Sequence, residues 1–284
     1  MDILPRLPLA DWIDAIVDWI KDSSVIGAIF SVIRSCIGFI VEKIGWVLAL
    51  PPSWLLIILI TVGTFLLHKR KWGLALFVLI GLLLIDNLQY WSQMIDTLSL
   101  VITAGLISVI IGIPLGIWMA KNSVVESIFK PILDFMQTMP AFVYLIPAVA
   151  FFGIGMIPGV VASVIFAMPP TVRLTNLGIR QVSTELVEAA DAFGSTGTQK
   201  LFKVELPMAK GTIMAGVNQS IMLALSMVVI AAMIGASGLG QTVYTAVGQN
   251  KAGLGFEAGL AIVIVAIILD RLTQVFNSNA NQGH

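Results

Sequence analysis

Glu188-Ala189-Ala190-Asp191-Ala192-Phe193-Gly194, followed after nine residues by Val204-Glu205-Leu206-Pro207, is a polar island in an otherwise apolar chain. Read as a helix from about Thr184, it has two faces. Leu186, Ala189, Ala190 and Phe193 recur at i, i+3, i+4 and i+7 and form one apolar stripe. Glu185, Glu188 and Asp191 form an acidic stripe beside it. Ser183 or Thr184 can cap the start, where Glu185 faces the positive end of the helix dipole. Gly194 stops the helix, with Gly197 close behind. The tripeptide Glu-Ala-Ala alone fits any amphipathic connector; its register with Gly194 and Leu206-Pro207 is what sets this stretch apart.

Composition makes the setting a membrane. The chain has 284 residues, 58% hydrophobic and 11% charged, whereas a soluble domain carries about 25% charged residues. The formal net charge is zero, so there is no nucleic-acid footprint. Cys36 is the single cysteine, and His68 and His284 lie far apart, so neither a disulfide framework nor a metal cluster is expected. The acidic opening Met1-Asp2-Ile3-Leu4-Pro5 lacks the basic segment of a cleavable signal peptide.

The expected fold is an all-α polytopic membrane protein with about seven transmembrane helices (six to eight), preceded by N-terminal amphipathic helices. Over residues 1–50, Leu9, Trp12, Ile13, Ile16, Val17 and Ile20 oppose Asp11, Asp14, Asp18 and Lys21, which predicts a helix at a membrane surface. Val25–Val41 is apolar but carries Arg34, and a central Arg costs about 3 kcal/mol on insertion scales. It reads as a second amphipathic or half-inserted helix. Residues 51–94 hold two accessory spans, Trp54–Leu67 and Trp72–Tyr90, joined by the basic turn His68-Lys69-Arg70-Lys71. The core, 95–275, holds spans Leu98–Ala120, Pro131–Phe152 (interrupted by Pro140 and Pro147), Pro158–Pro170 extending into Thr171-Val172, Thr212–Ile234 and Phe256–Leu269. A cytoplasmic loop covers 173–210. Gly235–Gly255 is a glycine-rich connection with Tyr244 and Val247 on a short re-entrant helix, and 276–284 is a polar tail.

Charge sets the orientation. With the 173–210 loop inside, the inner segments collect Lys69, Arg70, Lys71, Lys121, Lys130, Arg173, Arg180, Lys200, Lys203, Lys210 and Arg271, against Lys251 outside. The positive-inside rule then places the N-terminus outside and the C-terminus in the cytoplasm of a multi-pass cell (inner) membrane protein. Crossing by Val25–Val41 would move only the N-terminus. Gly112 and Gly116 suit close helix packing. Pro140 and Pro147 free backbone carbonyls, which is tolerated within protein or beside a water-filled path.

The three blocks Glu188-Ala189-Ala190, Gly194 and Val204-x-Leu206-Pro207 resemble the cytoplasmic signature loop of bacterial ABC importer permeases. Gln137-Thr138-Met139-Pro140-Ala141-Phe142-Val143-Tyr144-Leu145-Ile146-Pro147, Val164–Arg173 and Asn218–Met227 resemble more narrowly the glycine betaine/proline betaine permeases of osmoprotectant uptake, as does the opening Leu7–Trp12. The likeness covers essentially the whole chain. It implies a permease subunit that works with a second copy of itself, two copies of an ATP-binding subunit and an extracellular substrate-binding protein, in contact with membrane lipid and with no nucleic acid. The coupling residues it implies are Glu185, Glu188, Ala189, Ala190, Gly194, Leu206 and Pro207. Glu188 is the polar anchor in the ATPase cleft, the alanines allow close approach and Gly194 permits the turn.

The chain itself reads as no enzyme. No Gly-x-x-x-x-Gly-Lys-Ser/Thr loop occurs, so ATP and Mg belong to the partner and no cofactor is expected on this chain. Gln137, Thr138 and Tyr144, with Asn218, Gln219, Ser220 and Ser226, are the polar residues that either line a translocation path or bond across helices. Met222 and Met227 suit packing gaps. Rival readings are a permease for choline, carnitine or another small solute, an ion-coupled secondary transporter, an osmotically gated channel and a membrane enzyme. Asp86, Asp96, Asp134, Glu257 and Asp270 lie near span ends, which counts against ion coupling. No nucleophile–base pair supports the enzyme.

Overall fold

The computed structural model describes residues 8–67 and 72–278, so the basic turn at 68–71 and the last residues of the tail lie outside the described residues. Helices α1 (Leu9–Asp22), α2 (Ser24–Ala49), α3 (Ser53–Leu67) and α4 (Trp72–Asn87) precede a core of α5 (Trp91–Lys121), α6 (Ser123–Thr138), α7 (Leu145–Phe152), α8 (Met156–Arg180), α9 (Thr184–Ala192), α10 (Gly197–Lys200), α11 (Leu206–Ala232), α12 (Leu239–Gly248) and α13 (Ala252–Ser278). A 3-10 turn, Ala141–Tyr144, leads into α7, and a π-helical turn, Leu201–Glu205, joins α10 to α11. Among the described residues five helices are long and apolar enough to cross a membrane, and six if one bent pair is a single span.

Each of the seven expected spans is helical, with three differences. First, among the described residues α3 and α4 have 15 and 16 residues, about 24 Å, against a hydrocarbon core of about 30 Å. Second, the span expected at Pro131–Phe152 is two helices bent by 110°. Met139 and Pro140 adopt extended ψ values of 137° and 135°, the first as the pre-proline rule requires, and end α6. The α6 helix also begins earlier than expected, capped by Asn122 Oδ1, which accepts from the amides of Val124 and Val125 at 2.9 and 3.2 Å. Third, helical order continues through Pro169 and Pro170 to Arg180 and resumes by Leu206. The segment outside the long helices is therefore 181–205, not 173–210. Arg173 does not mark a loop; it pairs with Asp134 of α6 at 2.5 Å.

The centre of the bundle is α8, flanked along its length by α5 and α11. Small residues bring the backbones together. A methyl group at Gly116 would lie 2.6 Å from the Val172 carbonyl, and one at Gly216 would lie 3.0 Å from the Pro170 carbonyl. The close-packing reading of Gly112 and Gly116 thus holds. Buried apolar residues of α4, α5, α8, α11 and α13, such as Leu82, Leu100, Val160, Val228 and Ile264, fill the space between helices.

The bundle has two distinct ends. At one, α5 and α8 terminate, α11 begins and α9–α10 projects; Arg180 Nη2 donates to the Met119 carbonyl at 3.0 Å and pairs with Glu126 at 2.7 Å. At the other, α12 turns back: the Leu239 amide donates to Thr97 Oγ1 at 2.9 Å, and Tyr90 donates to Glu257 at 3.4 Å.

The α2 helix crosses this second end steeply. Helices α5 and α8 run parallel, with Leu100 beside Gly159, Gly112 beside Thr171 and Gly116 beside Thr175, a constant offset of 59 positions. Gly38 of α2 meets Ile157, level with Leu98, while Gly45 meets Ser99. Seven residues of helix advance about 10 Å, yet both contacts are made at one depth. Further back, Phe30 stacks on Phe151 of α7, ring centroids 4.7 Å apart. Although α2 is long enough to span, it lies across α5, α8 and α7 rather than beside them.

Candidate functional site

The α9 helix stands clear of the bundle. None of its residues is buried, Leu186 is 43% exposed and Phe193 is 91% exposed. Phe193 thus presents its aromatic ring at the tip of an alanine-rich helix. Ser183 occupies the N-cap position, but neither it nor Thr184 makes a capping side-chain hydrogen bond. Helix α9 ends as a glycine-terminated helix should. Gly194 has φ +75°, its amide donates to the Asp191 carbonyl at 2.9 Å, and Ser195 donates back to the Ala190 carbonyl at 3.0 Å.

Two further features fix the angle of α9. Lys200 Nζ reaches both oxygens of Asp191 at 2.8 Å. Thr196 and Gln199 form a reciprocal capping box at the start of α10. Asp191 is thus committed inside the segment, whereas Glu185 and Glu188 are exposed and have no ion pair among the described residues. Leu206 and Pro207 are not loop residues; Pro207 stands in the first turn of α11, directly after the π turn Leu201–Glu205.

The residues predicted to face a path divide into two sets. Asn218, Ser220 and Tyr144 bond within the bundle. Asn218 Nδ2 donates to Asp270 at 2.9 Å and its oxygen accepts from Thr273. Ser220 shares a 2.7 Å hydrogen bond with Thr171, both fully buried. Tyr144 donates across the α6–α7 bend to the Met136 carbonyl. Gln137, Thr138, Gln219 and Ser226 are exposed; Thr138 and Ser226 only bond back to their own helices, at 3.1 and 3.0 Å. Gln219, Met222 and Ser226 follow one another along one side of α11 at helical spacing, with exposed Met233 continuing the line. Met227 is fully buried, a packing residue as expected.

One pair escaped the sequence reading. Glu205 closes the π turn, its side chain 5% exposed, and forms an ion pair with Lys121 at the end of α5. The residues are 84 positions apart, and an Glu in the open position of Val-x-Leu-Pro carries no signal by itself.

The geometry is a bundle of crossing helices with one small, exposed, amphipathic helix at the end where α5, α8 and α11 converge. Residues 112–282 match the family described as binding-protein-dependent transport system inner membrane component. The chain belongs to that family. It is 68% identical over 282 residues to the glycine betaine/carnitine transport permease protein of Listeria monocytogenes serotype 1/2a (strain 10403S), covering 99% of each chain. It is 59% identical over 274 residues to the glycine betaine transport system permease protein of Bacillus subtilis (strain 168), covering 96% of each. The fold matches that of a methionine ABC transporter solved in inward-facing conformations, with a TM-score of 0.61 and 20% identity over 65% of this chain and 93% of that one. The chain is thus a helical, multi-pass inner-membrane permease of the ABC importer class.

Proposed function

We propose that the chain is the transmembrane subunit of an ATP-driven importer for glycine betaine or a related quaternary-amine osmoprotectant. It pairs with a second copy, two ATP-binding subunits and an extracellular substrate-binding protein, and it binds no cofactor of its own. The observation that carries the coupling role is α9, a helix with no buried residue and Phe193 at its tip 91% exposed. Identities of 68% and 59% to glycine betaine permeases support the substrate.

In this reading α9 sits in a cleft of the ATP-binding subunit. Glu185 and Glu188 supply its polar contacts, Ala189 and Ala190 allow close approach, Gly194 makes the turn, and Leu206-Pro207 starts the helix that carries the movement inward. Gln219 and Ser226 face the path, joined by Gln137 and Thr138 from the α6 end. Uncharged groups solvate a zwitterion without trapping it. Asn218, Ser220 and Tyr144 hold the helices that frame the path.

The basic residues Lys121, Arg173, Arg180, Lys200, Lys203 and Lys210 gather at the α9 end, which supports a cytoplasmic position for that end and for the C-terminus. The steep crossing of α2 at the opposite end supports an outside N-terminus, with α1 and α2 as interfacial helices. Reconstitution in vesicles with the ATP-binding subunit and receptor tests the reading: ATP should drive uptake of labelled glycine betaine. Uptake of choline or carnitine in preference would reassign the substrate and leave the ATP-driven mechanism in place.

A further inference from the structure

We propose that Lys121 and Glu205 form a strut that delivers movement of the α9–α10 segment directly into α5. The proposal rests on the coupling role argued above and adds positioning residues to it. Along the covalent route, movement passes from α9 through α10 and the π turn Leu201–Glu205 into α11. Residues 181–183 tie the start of α9 to α8, so the covalent chain reaches two of the three helices that converge at this end and leaves out α5. The ion pair joins the last residue of the π turn to the last residue of α5. Helix α5 in turn packs along α8 through Gly112 and Gly116. All three helices are thereby tied to one input.

Four observations favour a transmitting rather than a decorative pair. The Glu205 side chain is 5% exposed, although the segment before it is almost entirely in water. A carboxylate is placed there at a desolvation cost that only its partner offsets. The residue sits at the close of a π turn, a local widening that is rare and concentrates at functional positions. The Lys121 side chain is 40% exposed and lies at the helix C-terminus, where a cation is favoured. The Oε2 atom of Glu205 has no further hydrogen-bond partner, so Lys121 is its single charge partner among the described residues.

The test uses the complete transporter in vesicles and reads ATP hydrolysis and uptake together. Glu205→Gln, which keeps shape and removes charge, and Lys121→Met should retain the ATP-binding subunit on co-purification. Each should hydrolyse ATP within twofold of wild type, while uptake per ATP falls at least tenfold. The exchange Lys121→Glu with Glu205→Lys should restore at least half of the lost coupling ratio. Wild-type uptake per ATP in both single variants overturns the proposal. So does release of the ATP-binding subunit, or loss of folded protein that the exchange does not repair, since the pair would then be an anchor. Glu188→Lys run alongside separates the two readings: if it keeps both partner and uptake, the docking assignment fails; if it loses them while Glu205→Gln behaves as wild type, only the strut fails.

Discussion

The hydroxyls of Thr171 and Ser220 lie 2.7 Å apart, fully buried where α8 meets α11. They are 49 positions apart in sequence and form a polar rivet in an interface built mostly from glycine, alanine and valine. Interhelical hydrogen bonds of this kind are worth about 0.6 kcal/mol on average in membranes. Thr171→Val or Ser220→Ala should each lower stability by about 1 kcal/mol, because one orphaned hydroxyl remains. The double variant should lose less than the sum. Thermal unfolding in detergent reads all three, and strict additivity would contradict the pairing.

Gly240 lies against the next helix so closely that a methyl group there would come 2.3 Å from the Val228 carbonyl. Overpacking against backbone cannot be relieved by a rotamer change, and it costs about 1–3 kcal/mol or more. Gly240→Ala should therefore detach the α12 turn and lower the yield of folded protein. Gly63→Ala, with nothing within 4 Å, is the control. Equal thermal stability of the two variants would contradict the packing described for α12.

Tyr144 bridges the 110° bend between α6 and α7 by donating to the Met136 carbonyl. Tyr144→Phe keeps the ring's packing and removes the bridge, a loss of about 1 kcal/mol. Protease cleavage near 139–141 in detergent should accelerate severalfold in the variant. An unchanged rate would show that Pro140 alone holds the bend.

Gly194→Asp places a side chain at φ +75° and a second charge beside Asp191. The local strain is about 1 kcal/mol, too little to unfold the bundle. The altered end of α9 should still abolish uptake. Insertion and monodispersity should match wild type, and co-purification of the ATP-binding subunit should be lost. Retained co-purification with normal uptake would contradict the docking role of α9. Phe193→Ser should leave the isolated chain's stability unchanged, since its ring touches little, and weaken the same association at least tenfold.

Much of this architecture was legible because membranes restrict the choices. Gly194 announced a helix end, Gly112 and Gly116 announced close packing, and Pro140 announced a break. Hydropathy failed where charged side chains sit on long helices. Arg173 and Arg180 read as loop residues, yet they pair with Asp134 and Glu126 across the α6–α8 groove. Helix α6 was clipped at Pro131 for the same reason: Glu126 and Lys130 hid its first turns. Composition also carries no information on direction, so it could not show that α2 crosses the bundle. Of the polar residues on α6, α7 and α11, periodicity named the set but not its division. Which hydroxyl or amide is spent inside the bundle depends on partners about 50 positions away, such as Asp270 for Asn218.

The central claim is that this bundle is moved by ATP hydrolysis on a separate protein bound at α9. The most direct measurement is solute accumulation by vesicles containing the chain alone, the chain with its ATP-binding subunit, and the same pair with Glu188→Lys, each with receptor and ATP present. Accumulation against a gradient is predicted only for the wild-type pair. Accumulation by the chain alone, driven by an ion gradient, would contradict the account.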